Sequence, residues 1–211
     1  MIVVIGGVKG GTGKTTLASN LVVMRSNDKK KVLLVDADEQ KSLSDWALQR
    51  DHLKIPTHWS TIQLSGEALA SQINRMKSDY SDIIIDVGGR DTRSQRSALS
   101  IADLYIIPFK PRSFDIWTLG IVKELVTNAK IFNPKLKCIA VINQGDSRGS
   151  DNEDSMSIIK ECKEITCFES SIGYRKAFAN AATDGLAITE MPNSDVKAIS
   201  EIHNLYSFIY G

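Results

Sequence analysis

The sequence predicts an α/β fold: a mainly parallel, twisted sheet with helices on both of its faces. Three observations predict it. Apolar, β-branched runs such as Ile2-Val3-Val4-Ile5, Val32-Leu33-Leu34-Val35 and Ile83-Ile84-Ile85 are continuous rather than alternating. That is the pattern of strands buried on both faces. These runs alternate along the chain with segments of helical length. No repeat, low-complexity tract or linker divides the 211 residues, so one domain spanning 1–211 is expected.

Each element follows from local pattern. A strand over 2–6 leads through a glycine-rich loop into a helix over 14–26. A second strand, 31–36, precedes a helix over 41–50. Pro56 marks an irregular piece before a short strand at 61–64. A helix over 66–78 and a strand over 82–87 follow, then a polar loop and a helix near 93–101. A strand at 104–108 is followed by a long helix, 113–132, and a strand at 138–143. The polar segment Ser147–Asp154 reads as a loop. A helix over 155–163, a short strand at 165–168 and helices over 174–183 and 194–209 complete the chain.

The chemistry concentrates in three strand-end motifs. The first is Val8-Lys9-Gly10-Gly11-Thr12-Gly13-Lys14-Thr15-Thr16, between the first strand and first helix. Strand, glycine-rich loop, Gly-Lys-Thr and helix is the architecture of a phosphate-binding loop. Glycines let consecutive N–H groups turn inward around a polyphosphate, and the helix N-terminus adds partial positive charge. Lys14 is placed to reach the β- and γ-phosphates of ATP, and the Thr15 hydroxyl to ligate Mg²⁺. The second motif is Asp36-Ala37-Asp38-Glu39-Gln40, whose carboxylates sit at a strand end beside that loop. Asp38 also has the alternative of capping the following helix. The third is Asp82-Ile83-Ile84-Ile85-Asp86-Val87-Gly88-Gly89, in which Asp86 closes a buried strand as a Walker B aspartate does.

In its early Lys9 and K-G-G-x-G-K-T-T form, the loop resembles that of the ParA/MinD family of deviant-Walker-A P-loop ATPases. The segment 36–40 is similar to the family's D-x-D-P-Q, with Glu39 in place of proline. Residues 102–115 look like its A-D-x-x-x-x-P-x-x-P-S-x-x-D segment, with Arg112 inserted, and Ile172–Phe178 its I-x-x-R-x-A-F segment. The chain resembles the short plasmid-partition ParA proteins most. By that resemblance the phosphates lie on Lys9, Gly10, Gly11, Thr12, Gly13, Lys14, Thr15 and Thr16. Lys9 then crosses a homodimer interface to the partner's nucleotide, and Asp38 positions the attacking water. Thr15, Asp36 and Asp86 serve Mg²⁺, directly or through water. Asn143 reads adenine, with loop capping as its rival role. Asp115 either contacts the partner chain or caps the long helix.

The resemblance also implies a function. The expected protein is a slow, Mg²⁺-dependent ATPase that binds nonspecific DNA in its ATP state. A ParB-like centromere-binding adaptor stimulates it, and the cycle segregates a plasmid or chromosome. A same-family ATPase that positions a protein cargo, or a metabolic ATP-dependent synthetase, are the alternatives. Candidate DNA contacts are Arg90, Arg93 and Arg96 after the third motif, and Arg175 and Lys176, with Lys197 nearby. Each could equally be a solvated helix face.

Composition excludes other classes. The net charge of +1 does not announce a nucleic-acid binder, and 42% hydrophobic with 24% charged residues is ordinary for a globular protein. No apolar run approaches the roughly 18 residues of a membrane span. The C-terminal helix pattern carries no Lys or Arg after Lys197, unlike a membrane-riding amphipathic tail. The chain opens directly on its first strand, so neither a leader nor an operator-binding extension is expected. The expected location is cytoplasmic and nucleoid-associated. Cys138, Cys162 and Cys167 lack zinc-site spacing and are expected as free thiols.

Overall fold

In a computed structural model the seven strands form one sheet in the order β3-β2-β4-β1-β5-β6-β7. The strands are β1 (Ile2–Ile5), β2 (Val32–Ala37), β3 (Ser60–Gln63), β4 (Asp82–Val87), β5 (Leu104–Phe109), β6 (Lys137–Gly145) and β7 (Thr166–Gly173). Every pairing between them is parallel. The structure describes residues 1–89, 92–111, 114–192 and 195–211, without the side chains of 114–117. Arg90 therefore lies outside the described residues, as does the side chain of Asp115.

The continuous apolar runs have the consequence expected of them. Along β1, Ile2 and Val4 enter one core and Val3 and Ile5 the other. In β4, Ile83 and Ile85 face the first core and Ile84 the second. The first core is covered by α3 (Leu69–Met76), α4 (Arg93–Leu99), α5 (Phe114–Phe132) and α6 (Asp151–Lys160). The second is covered by α1 (Lys14–Asn27), α2 (Ser42–His52) and α8 (Val196–Tyr210). A further helix, α7 (Lys176–Thr183), packs Ala177 and Phe178 against this second core. Ile202 and Leu205 of α8 are fully buried, which settles that helix as a core-packing one.

Two expectations are corrected. α6 begins at Asp151, so half of the segment read as a polar loop is its first turn. Asp151, Glu153 and Asp154 sit there, where the helix dipole favours negative charge. Strand β7 runs on to Gly173 through Glu169, Ser170 and Ser171, well past the apolar residues that suggested 165–168. It is an edge strand, and an edge tolerates polar side chains that a central strand does not.

Asp195 caps α8 by accepting from the Lys197 and Ala198 N–H groups at 3.0 and 3.2 Å. Asp195→Ala is expected to lower stability by about 1 kcal/mol. A urea titration measures it as a lower midpoint with an unchanged slope.

Candidate functional site

The chain leaves β1 toward one edge strand and later crosses to β5 on the other side. The C-terminal ends of β1, β2 and β4 therefore flank a switch point, where α/β sheets bind ligands. A cleft of about 680 Å³ opens there, lined by Gly11, Lys14, Thr15, Asp38, Gly88 and Gln144 among others.

The loop between β1 and α1 forms its floor. Gly13, at the N-terminus of α1, has φ +88, and a Cβ on it would stand 2.2 Å from Asn143 Nδ2. Only glycine fits there on both counts. Gly89 supports the loop from the β4 side: its Cβ would stand 2.5 Å from the carbonyl of Lys9. Gly89 thus packs directly beneath the start of the phosphate loop, while Gly88 lies against the Asp38 carboxylate.

Polar groups converge on this floor. Lys14 is buried and donates from Nζ to the Lys9 carbonyl at 3.0 Å. Its burial lowers its pKa, opposed by Asp86 and Asp38. The Thr15 hydroxyl donates to Asp86 Oδ2 at 2.6 Å. Asp36 and Asp86 are register partners on adjacent strands. Asp86 is fully buried, and among the described residues its Oδ1 has no hydrogen-bond partner. Burial pushes its pKa up to about 7. The Thr15 hydrogen bond and Lys14 oppose that rise, whereas the carboxylates Asp36 and Asp38 reinforce it.

An orphaned buried carboxylate oxygen beside a hydroxyl and two more carboxylates fits a hard divalent cation. Among the described residues no three His, Cys, Asp or Glu side chains form a metal site by themselves. A cation here would need ligand phosphates or waters as well, as Mg²⁺ usually does.

The Asp86 shift has a testable sign. With the folded-state pKa above the unfolded value, the unfolded chain releases its proton first. Ligand-free protein is therefore expected to lose stability as pH rises from about 4 to about 7. Asp86→Asn should remove that part of the dependence, read from urea midpoints across the range.

The second motif divides its labour unexpectedly. Asp36, not Asp38, caps the start of α2: its Oδ2 accepts from the Ser44 N–H and hydroxyl at 2.8 and 2.7 Å. Its Oδ1 accepts the Asp38 N–H at 3.1 Å. Asp38 is thereby held at the cleft, with Oδ1 accepting the Gln40 N–H at 3.0 Å. Among the described residues its Oδ2 has no hydrogen-bond partner.

Asn143, expected either to read adenine or to cap a loop, makes a loop contact in this structure. Its Nδ2 is buried and donates to the Thr12 carbonyl at 2.6 Å, bracing the loop. The neighbouring Gln144, in a left-handed conformation with φ 58, donates to the Gly11 carbonyl at 2.9 Å. Nothing in the sequence singled out Gln144, because its role depends on that backbone turn. Lys110, passed over within the 102–115 segment, also lies beside Gly11.

A model of the CobQ/CobB/MinD/ParA nucleotide binding domain matches residues 3–188. The chain belongs to this family. It is a ParA/MinD-type P-loop ATPase in sequence and fold. Over 207 residues it is 25% identical to "Maintenance of carboxysome distribution protein A" of Halothiobacillus neapolitanus, covering 95% of this chain and 92% of that one. Its fold matches a structure titled apo McdA from Cyanthece with a TM-score of 0.78 at 19% identity, over 97% of this chain and 98% of that one. A putative plasmid partition protein from Borrelia burgdorferi, bound to AMPPNP, matches with a TM-score of 0.76 at 19% identity, over 99% and 97%.

The arginines expected on DNA stand outside the cleft of this ParA/MinD-type ATPase. Arg93 is exposed and pairs with Glu67 at 3.4 Å, and Arg96 is exposed on the same short helix. Arg175, the other arginine expected on DNA, is engaged by carboxylates in this structure. Its guanidinium donates to both oxygens of Glu201 and to Asp195, tying the end of β7 to α8. Two carboxylates already neutralise it. Lys176 beside it is exposed. Among the described residues no helix is long and apolar enough to cross a membrane.

Proposed function

We propose that this chain is an ATP-driven dimerisation switch that binds nonspecific DNA when ATP-loaded and partitions DNA with a ParB-like adaptor. The observation that carries the reading is the cleft itself. The Lys14 ammonium at its floor donates to the Lys9 carbonyl, and Asp38, just past the end of β2, lines its wall.

The chemistry follows from these groups. The N–H groups of Gly10 to Thr16 and the Lys14 ammonium hold the ATP phosphates. Thr15 and Asp86 are the residues to hold Mg²⁺, with Asp36 behind them. When bound it neutralises charge on the β- and γ-oxygens. Asp38 Oδ2 accepts a hydrogen bond from the attacking water and orients it toward the γ-phosphorus. The new P–O bond forms as the bond to ADP breaks, giving ADP and phosphate. Lys9 of each subunit reaches the other's phosphates, so ATP holds the dimer together. Hydrolysis removes that bond between subunits, and the protein leaves DNA.

Solution mass tests the dimer step. ATP and Mg²⁺ should double the mass of a slowly hydrolysing protein, ADP should not, and Lys9→Ala should stay monomeric while still binding ATP. A Lys9→Ala protein that dimerises normally with ATP would refute the role given to Lys9.

A second reading keeps the enzyme and changes the cargo. A relative named for carboxysome distribution aligns along nearly all of this chain, which favours a protein assembly as cargo. Pull-down with a ParB-like adaptor against pull-down with an assembly-bound adaptor separates the two.

A further inference from the structure

We infer that the sheet edge opposite the phosphate loop carries a lysine cluster that contacts the phosphates of duplex DNA. The inference rests on the DNA-binding reading above and names its surface.

All strand pairings are parallel, so the strands begin at one edge and the nucleotide cleft lies at the other. At the beginning edge a cavity of about 600 Å³ is lined by Lys130, Lys135, Lys137 and Lys163. Lys135 and Lys137 stand at the start of β6, and Lys163 stands just before β7. Lys135, Lys137 and Lys163 are exposed, and among the described residues none of the three pairs with a carboxylate. Lys130 donates to the Glu164 carbonyl at 3.0 Å, which fixes its ammonium at the cavity wall.

Two carboxylates, Asp103 and Glu164, share the cavity with the four lysines, and Glu164 Oε2 has no hydrogen-bond partner among the described residues. Asp103 accepts the Ile2 N–H at 2.6 Å, and Glu164 lies 4.0 Å from Lys123. The cavity therefore presents an excess of positive charge on a chain whose net charge is only +1. Such a separation of charge steers a polyanion to one face.

A second group lies farther along the same edge. Lys29, Lys30 and Lys31 are exposed just before β2. The Lys31 carbonyl accepts the Ser81 N–H at 2.8 Å, which anchors this group beside the start of β4. From β2 to β6 is four strand spacings, or about 19 Å. The major groove of B-DNA is about 12 Å wide, and flexible four-carbon lysine stems cover the difference, so the two groups can reach phosphates on both of its sides. Lysines without base-reading partners supply point charges, which suits binding without sequence preference. The arginines Arg93 and Arg175 differ, since each already faces a carboxylate.

The test uses the full chain, random-sequence duplex DNA, ATP and Mg²⁺, over a series of salt concentrations. The variants are K135E/K137E/K163E and the milder K135Q/K137Q/K163Q. Both are expected to bind at least about 10-fold more weakly near physiological salt. Their slopes of log K against log salt should be shallower by about 2 to 3. ATP turnover without DNA should stay at the wild-type rate, which shows that the variants fold. If the wild type binds and both variants match its affinity and slope, the cluster is not the DNA surface, and the DNA reading stands. If the wild type binds no DNA in any nucleotide state, the DNA reading falls and this inference falls with it.

Discussion

Lys14→Ala is expected to abolish measurable ATP turnover and to weaken ATP binding by about 100-fold or more. Lys14 is buried at the cleft floor, its ammonium on the Lys9 carbonyl and beside Asp86 and Asp38. It is the cation built into the floor, and polyphosphate brings several negative charges to that point. A preorganised charge in a water-poor site is worth far more than in water, and removing one costs about 10² to 10³ in rate. The fold should survive, because Asp86 has a pKa of about 7 already and can take up a proton once its counter-charge is lost. Titration with a fluorescent ATP analogue and single-turnover hydrolysis read the two losses. Circular dichroism checks the fold.

Asp38→Asn is expected to separate binding from hydrolysis. Turnover should fall by about 10² to 10³, in the range contributed by a positioned proton acceptor, while ATP binding stays within a few-fold of wild type. Asp38 bears on the cleft but, among the described residues, hydrogen-bonds none of the phosphate loop, so its loss leaves the phosphate cradle intact. Asparagine can still accept the Gln40 N–H through its carbonyl, which keeps the local turn. The variant should accumulate as an ATP-loaded dimer and hold DNA longer than the wild type. Equal losses in ATP affinity and in turnover would place Asp38 in binding rather than in the chemical step.

The parts of this protein legible in its sequence are those written in short-range pattern. Continuous β-branched runs reveal strands buried on both faces, and β1 and β4 divide their side chains between two cores accordingly. The phosphate loop is legible because glycines, Lys14 and Thr15 must occur at fixed spacing between a strand and a helix. What escaped the sequence depends on long-range partners. Nothing in the sequence singles out Arg50, yet it is buried and pairs with Glu190, 140 positions away. Arg175 reads as a free cation, and Glu201 and Asp195 from α8 neutralise it. The sequence offers helix capping to Asp38, and only the fold shows that Asp36 caps α2 and holds Asp38. Asn143 has two roles open to it in the sequence, a base contact or a loop cap, and the Thr12 carbonyl that its amide reaches is set by the fold. The starts of α6 and the end of β7 were missed because polar residues are acceptable at a helix N-terminus and on an edge strand.

The most direct measurement is binding to random-sequence duplex DNA near physiological salt, with ATP and Mg²⁺ against ADP and Mg²⁺. Binding with ATP, and little or none with ADP, is the result predicted for a nucleotide-driven DNA switch. Equal binding in both states, or none in a protein shown to bind ATP, would contradict it.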